Sequence, residues 1–243
     1  MDLSKLTYSL ALCALATTAC GSDDGGGSGG KGDPTVDVSG VVTELASTQP
    51  RPPVAGVEVC ALDLPSVPCA TTDATGAYSL HAVPANYQGA LTFSKAGYLT
   101  GIAPGMTETE DLVADTSVAP EALAKTFAGL AGFAWPLGER GVLGIDVLDE
   151  LGNPIEGATV TPLGDGFDGP VYASAAGLPA KELTQTSSIG AAFAVFPAGK
   201  ATITVTHPSR TCTLGWRGWP STTGTVDAPV VAGASTVVIA VCK

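Results

Sequence analysis

The sequence predicts an all-β protein: two tandem antiparallel β-sandwiches joined by one short helix, behind an export signal and a flexible tether. Three observations predict it. The 243 residues carry 31 Gly and 18 Pro but only 14% charged side chains, a mix suited to short strands punctuated by turns rather than to a helical bundle. Apolar and polar residues alternate in short runs, which buries one sheet face and wets the other, and no helical crossovers separate those runs. The same order of features also occurs twice along the chain.

At the N-terminus, "MDLSKLTYSLALCALATTACGSDD" places one Lys before a mostly apolar run from Leu6 to Ala16. A bilayer core needs about 20 apolar residues, so this run is too short to span one and fits the apolar core of an export signal. The "TTAC" that follows, with Ala19 before Cys20 and Gly21 after it, resembles a bacterial lipobox. That resemblance implies removal of residues 1–19, diacylation of Cys20 as a lipid anchor in the membrane, and, with Gly21 rather than Asp next, an outer-membrane lipoprotein facing the periplasm or the cell surface. Thr17 departs from the Leu that the family prefers, and cleavage after Ala19 without a lipid is the alternative. Residues 20–35, "CGSDDGGGSGGKGDPT", read as a coil with nothing to bury, ~20 Å long on average and ~50 Å stretched.

Each copy of the repeat opens on an alternating strand, "VDVSGVV" (36–42) and "VLGIDVLD" (142–149). Next come "PVAGVEV" (Pro53 to Val59) and "PIEGATV" (Pro154 to Val160), where Gly56 and Gly157 precede a strand. A turn with Gly four positions after Thr follows in each, Thr72/Gly76 and Thr186/Gly190. Then come a strand bearing an aromatic (Tyr78; Phe193), a "PA" pair, and a last alternating strand, "ALTFSKAGY" or "ATITVTHP". Asp73 in the first turn reads as a residue that caps backbone N–H groups, so the turn reverses the chain and binds nothing.

These motifs resemble the carboxypeptidase regulatory-like (transthyretin-like) module, over about Val36 to Val113 and, more loosely, about Arg140 to Cys242. The second copy lacks the "GY" and has a longer loop, Thr161 to Glu182. The resemblance implies a seven-stranded, prealbumin-like or Ig-like Greek-key sandwich with no catalytic site of its own. The expected domains are residues 36–116 and 140–243, with a linker at 117–139. Within the linker, "PEALAKTFAGLAG" reads as the helix: Pro120 begins it, Glu121 lies in its first turn, and Leu123, Phe127 and Leu130 form the face expected to pack on a sandwich.

Of six cysteines, four lie in the body of the chain, and no CxxC pair or His cluster supports a metal. In an exported chain they read as two disulfides, Cys60 with Cys69 and Cys212 with Cys242; pairing across the two domains is the alternative. A net charge of −12 argues against nucleic acid as a partner.

Catalytic patterns are missing: there is no GxSxG, HExxH, phosphate loop or strand-bound GxGxxG. His81 and His207 read as surface strand residues, and Asp165 and Asp168 in "GDGFDG" as loop residues rather than a calcium site. No cofactor and no metal is expected, and no polar pocket holding a perturbed acid or base. In "LGWRGWPS", Trp216, Arg217 and Trp219 are candidates for stacking on a sugar ring, or else a cover for the open end of the sandwich. The reading is a surface-anchored, non-enzymatic structural or binding module whose partner is a polysaccharide or a surface protein. The alternatives are a carbohydrate-binding protein that uses the Trp loop, and an accessory subunit of a cell-surface hydrolase.

Overall fold

The computed structural model describes residues 34–46, 50–214 and 225–243. The first half forms β1 (Thr35–Glu44), β2 (Glu58–Ala61), β3 (Ala70–Thr71), β4 (Ala77–Pro84), β5 (Gln88–Ser94), β6 (Thr100–Met106), β7 (Leu112–Val113) and β8 (Thr116–Val118). Helix α1 (Glu121–Ala131) follows. The second half forms β9 (Arg140–Leu148), β10 (Thr159–Leu163), β11 (Asp168–Ala173), β12 (Pro179–Ala180), β13 (Ala191–Pro197), β14 (Gly199–Thr206), β15 (Cys212–Leu214), β16 (Thr225–Val230) and β17 (Ala234–Cys242). The protein is all-β, with β-sandwich packing in each half.

The two halves share one plan. In the first, β1 lies between antiparallel β4 and parallel β7 and β8; in the second, β9 lies between antiparallel β13 and parallel β17. The facing sheets are β2-β5-β6 and β10-β14-β16, both antiparallel. Parallel pairs enter an otherwise antiparallel fold where the last strands of each half lie beside the first and run the same way. Each sandwich has its own core. Val38, Val42, Val59, Leu80 and Phe93 fill the first, and Leu143, Ile145, Ile203, Leu214 and Ala240 fill the second.

The sandwiches are joined strand to strand. The edge strand β6 pairs in parallel with the start of β17, Thr100 to Ile102 against Ala234 to Thr236. The sheet β12-β11-β13-β9-β17 therefore continues through β6-β5-β2-β3, ten strands in all with β15. Both ends of its run are two-residue strands, β12 and β3, too short to template a further chain.

Two expectations are corrected. Phe193 is not the counterpart of Tyr78. Tyr78 stands two residues after its turn glycine and packs edge-on to Phe93 inside the first core, whereas Phe193 stands three residues after Gly190. One residue of offset turns a strand side chain to the opposite face. Phe193 accordingly lies outside the second core and meets Phe127 of α1 at 6.3 Å between ring centres. The second correction concerns Leu130, which is exposed, while Ala128 and Ala131 are the buried residues of α1. Ala128 and Ala131, about 60° apart around the axis, centre the buried stripe, and Leu130 lies about 100° from Ala131 and about 160° from Ala128, on the far side of Phe127. Gly132, left-handed at φ 77°, ends the helix, and Phe133 N–H closes onto Ala128 O.

Cys60 on β2 is bonded to Cys69 just ahead of β3, and Cys212 to Cys242, which sit opposite each other across β15 and β17.

Candidate functional site

The Thr-to-Gly turn is built the same way in both halves. Thr72 is buried; its Oγ1 accepts from Val57 N–H at 2.9 Å and donates to Val54 O at 2.7 Å. Thr186 is buried too; its Oγ1 accepts from Ala158 N–H at 2.9 Å and donates to Ile155 O at 2.7 Å. The hydroxyl thus ties the turn to the glycine loop at the start of β2 or β10. Gly76 (φ 77°) and Gly190 (φ 67°) lie against the backbone of the first strand, where a Cβ would collide with Val42 O or Val147 O. Asp73 Oδ1 accepts from the Thr75 hydroxyl and from the N–H groups of Thr75 and Ala77, and these bonds hold its carboxyl below the usual range. Ser187 has the corresponding place and caps Ile189 N–H. These groups satisfy one another, so the turn is architecture.

Both histidines are tied to neighbours at the surface. His81 is exposed and pairs with Asp37 at 2.9 Å. His207 donates from Nε2 to Glu156 O at 3.1 Å and accepts at Nδ1 from Ser209 N–H. Asp165 is exposed, and Asp168 is held by Arg140, whose other nitrogen reaches Gly166 O and Val195 O. No group of three or more His, Cys, Asp or Glu is arranged to hold a metal among the described residues. In the first half an apolar cleft lies between Val38, Val83, Tyr87, Ala103, Leu112 and Ala114, with a void of about 30 Å³. That is room for little more than a water-sized group, far less than a sugar ring needs.

Asp146 is the carboxyl whose pKa is raised among the described residues. Asp146 sits on β9, with Ala191 of β13 and Ile239 of β17 as its register neighbours. It keeps some contact with solvent, yet its carboxyl is sunk deep enough for desolvation to push it up to about 6, against the opposing pull of Arg51. Arg51 comes from the β1–β2 loop of the first half. Its Nη1 donates to Ser117 Oγ at 2.8 Å, and that hydroxyl meets Thr43 Oγ1 at 2.8 Å. Arg51 Nε is buried with no hydrogen-bond partner among the described residues. Asp146 in "VLGIDVLD" reads as a wet outward position. The signal that speaks otherwise is that the other outward residues of β9, Val142, Gly144 and Leu148, are all apolar.

The anchor candidate Cys20 and the loop candidates Trp216, Arg217 and Trp219 lie outside the described residues. Among the described residues no helix is long and apolar enough to cross a membrane.

No family model and no curated protein matches the chain. Solved structures similar to it include a type II cohesin–X-dockerin complex from Acetivibrio cellulolyticus, 24% identical over 35% of this chain and 58% of that one, with a TM-score of 0.30. A streptococcal ancillary pilin is 13% identical over 86% of this chain and 68% of its own, TM-score 0.26. A candidate carbohydrate-binding protein from Bacteroides uniformis is 10% identical over 82% of this chain and 98% of its own, TM-score 0.27. This chain spans little more than half the length of the Acetivibrio chain. None of the three is close enough to assign a family, a ligand or a partner.

Proposed function

We propose that this protein is a displayed, non-catalytic structural or binding module: an outer-membrane lipoprotein anchored through Cys20, with a tether at 20–35 and two carboxypeptidase regulatory-like domains at 36–116 and 140–243, linked by residues 117–139. The observation that supports it most is the build itself. Two copies of one sandwich plan, each with its own disulfide, are joined through one shared ten-stranded sheet. Such a body presents surfaces at a fixed spacing and encloses little.

A polysaccharide or a surface protein is the proposed partner, and the loop with Trp216, Arg217 and Trp219 its proposed contact, since two tryptophans three residues apart beside an arginine suit ring stacking and hydrogen bonding. Metabolic palmitate labelling tests the anchor: the wild type takes up label and stays with outer membranes, and Cys20→Ala loses both. Unlabelled wild-type protein released into the medium would overturn that part. Titrating the ectodomain from residue 33 with cell-surface and plant polysaccharides tests the contact. Saturable tryptophan quenching that disappears in Trp216→Ala or Trp219→Ala is the expected result, and a flat response across the panel would turn the search to protein partners.

A further inference from the structure

We propose that the outer edge of β4 is a docking site for an extended, lysine- or arginine-bearing segment of a partner protein, which joins the first half as one further antiparallel strand. The site is separate from the loop with Trp216 and Trp219 and does not depend on the anchor at Cys20.

The two halves differ at this edge. In the second, β13 pairs with β9 on one side and with β11 on the other. β11 comes from the longer loop after β10, and its Val171 and Asp168 stand opposite Phe193 and Val195. In the first half β4 has the place of β13. It pairs with β1 and is the last strand of its sheet among the described residues. The loop that would have to cover it, residues 62–69, is short and clipped to β2 by the Cys60–Cys69 bond.

Counted from the turn glycines Gly76 and Gly190, Ser79 and His81 are the counterparts of Phe193 and Val195. Val42 N–H donates to Gly76 O, so alternation along the ladder turns the backbone groups of Tyr78 and Leu80 towards β1 and those of Ala77, Ser79 and His81 outward. The turn takes up the pair on Ala77: its N–H donates to Asp73 Oδ1 and its O accepts from Asp73 N–H, each at 3.0 Å. The outward backbone groups of Ser79 and His81 have no such partner among the described residues. Lys, Pro and bulges are what blunt an edge. β4 has no Lys, and its Pro84 and its bulge at Ala82 (φ 58°) come after His81.

Charge selects the occupant. The segments around this edge, 34–46, 70–84 and 107–118, contain Asp37, Asp73, Asp111 and Asp115 and neither Lys nor Arg. Asp37 is bonded to His81 at 2.9 Å. Asp73 has the place of Ser187, whose hydroxyl donates to Ala173 O at the end of β11 at 2.7 Å. A carboxylate cannot donate that bond and favours an ammonium or guanidinium there instead. A second copy of this chain, with a net charge of −12, would set like charges along the same strand. A cationic extended segment brings the opposite charge and bonds through its backbone.

Fluorescence anisotropy with the full chain and a labelled peptide that alternates valine with lysine tests this. The expected result is saturable binding, weaker by about tenfold or more when glutamate replaces lysine, and lost when the peptide is N-methylated throughout. Hydrogen exchange of the Ser79 and His81 amides slows in the complex, and that of Phe193 and Val195 does not change. Ser79→Pro removes an outward N–H and keeps the pairing with β1, so it loses binding while its melting temperature stays near that of the wild type. No binding of the lysine peptide, equal binding of the glutamate peptide, or binding that survives N-methylation would overturn the proposal. The methylated peptide leaves the protein untouched, so its result stands even where Ser79→Pro folds poorly. Dimerisation of the wild type without peptide, lost in Ser79→Pro, would give the edge to a second copy and overturn the cationic partner.

Discussion

Thr72 and Thr186 each satisfy one backbone donor and one backbone acceptor that are out of reach of water. Valine has nearly the same shape and none of that bonding, so the substitution leaves two buried polar groups unpaired. Thr72→Val and Thr186→Val should each cost about 2 kcal/mol, with Thr→Ser costing less, as read from urea unfolding. Near-neutral valine variants would mean that the hydroxyl is a passenger. Asp146 works in the other direction. Its folded pKa of about 6 lies above its unfolded value, so the native state binds the extra proton. The stability this gives is complete below about pH 4 and is lost as pH rises through 6. Asp146→Asn should raise the melting temperature at pH 7.5, by a change of about 2 kcal/mol in stability, and have little effect at pH 4. A variant that destabilises equally at both pH values would contradict this account.

At the scale of elements, α1 holds to the second half through a narrow stripe, and side chains one step off that stripe are free. Phe127→Ala removes an aromatic contact and should cost about 2 kcal/mol, whereas Leu130→Asp should be nearly silent in thermal melts. The two disulfides differ in the loops they close, 9 and 30 residues of separation. On chain entropy alone their loss costs about 2.5 and about 3.5 kcal/mol, so the Cys212→Ala/Cys242→Ala protein should melt below the Cys60→Ala/Cys69→Ala protein. Much of this level was legible in the sequence. Alternation in "VDVSGVV" marked β1, the Thr-to-Gly spacing marked both turns, and Pro120 and Gly132 bracketed the helix. The misplaced side chains, Phe193 and Leu130, are cases where a one-residue offset changes the face, and pattern reading does not resolve one residue. Arg51 and Asp146 were not legible either, because what perturbs Asp146 is desolvation of its carboxyl, and that belongs to tertiary packing.

At the scale of the whole molecule, the consequential contact is β6 with β17, between segments more than 130 residues apart. A parallel pairing between distant strands leaves no local signature, and for this reason two sandwiches with separate edges were the natural expectation. The pairing changes how the molecule should unfold. If each proposed domain, 36–116 and 140–243, stood alone, its core would melt on its own, and Thr72→Val would lower one transition and leave the other in place. With β6 serving as an inner strand of a sheet that runs through both cores, losing either half strips the other of hydrogen-bond partners along that strand. Calorimetry should therefore show a single transition for the wild type at pH 5, with van't Hoff and calorimetric enthalpies in agreement, and Thr72→Val should shift all of it downward. Two transitions, only one of them moved by Thr72→Val, would mean that the shared sheet carries no cooperativity between the halves.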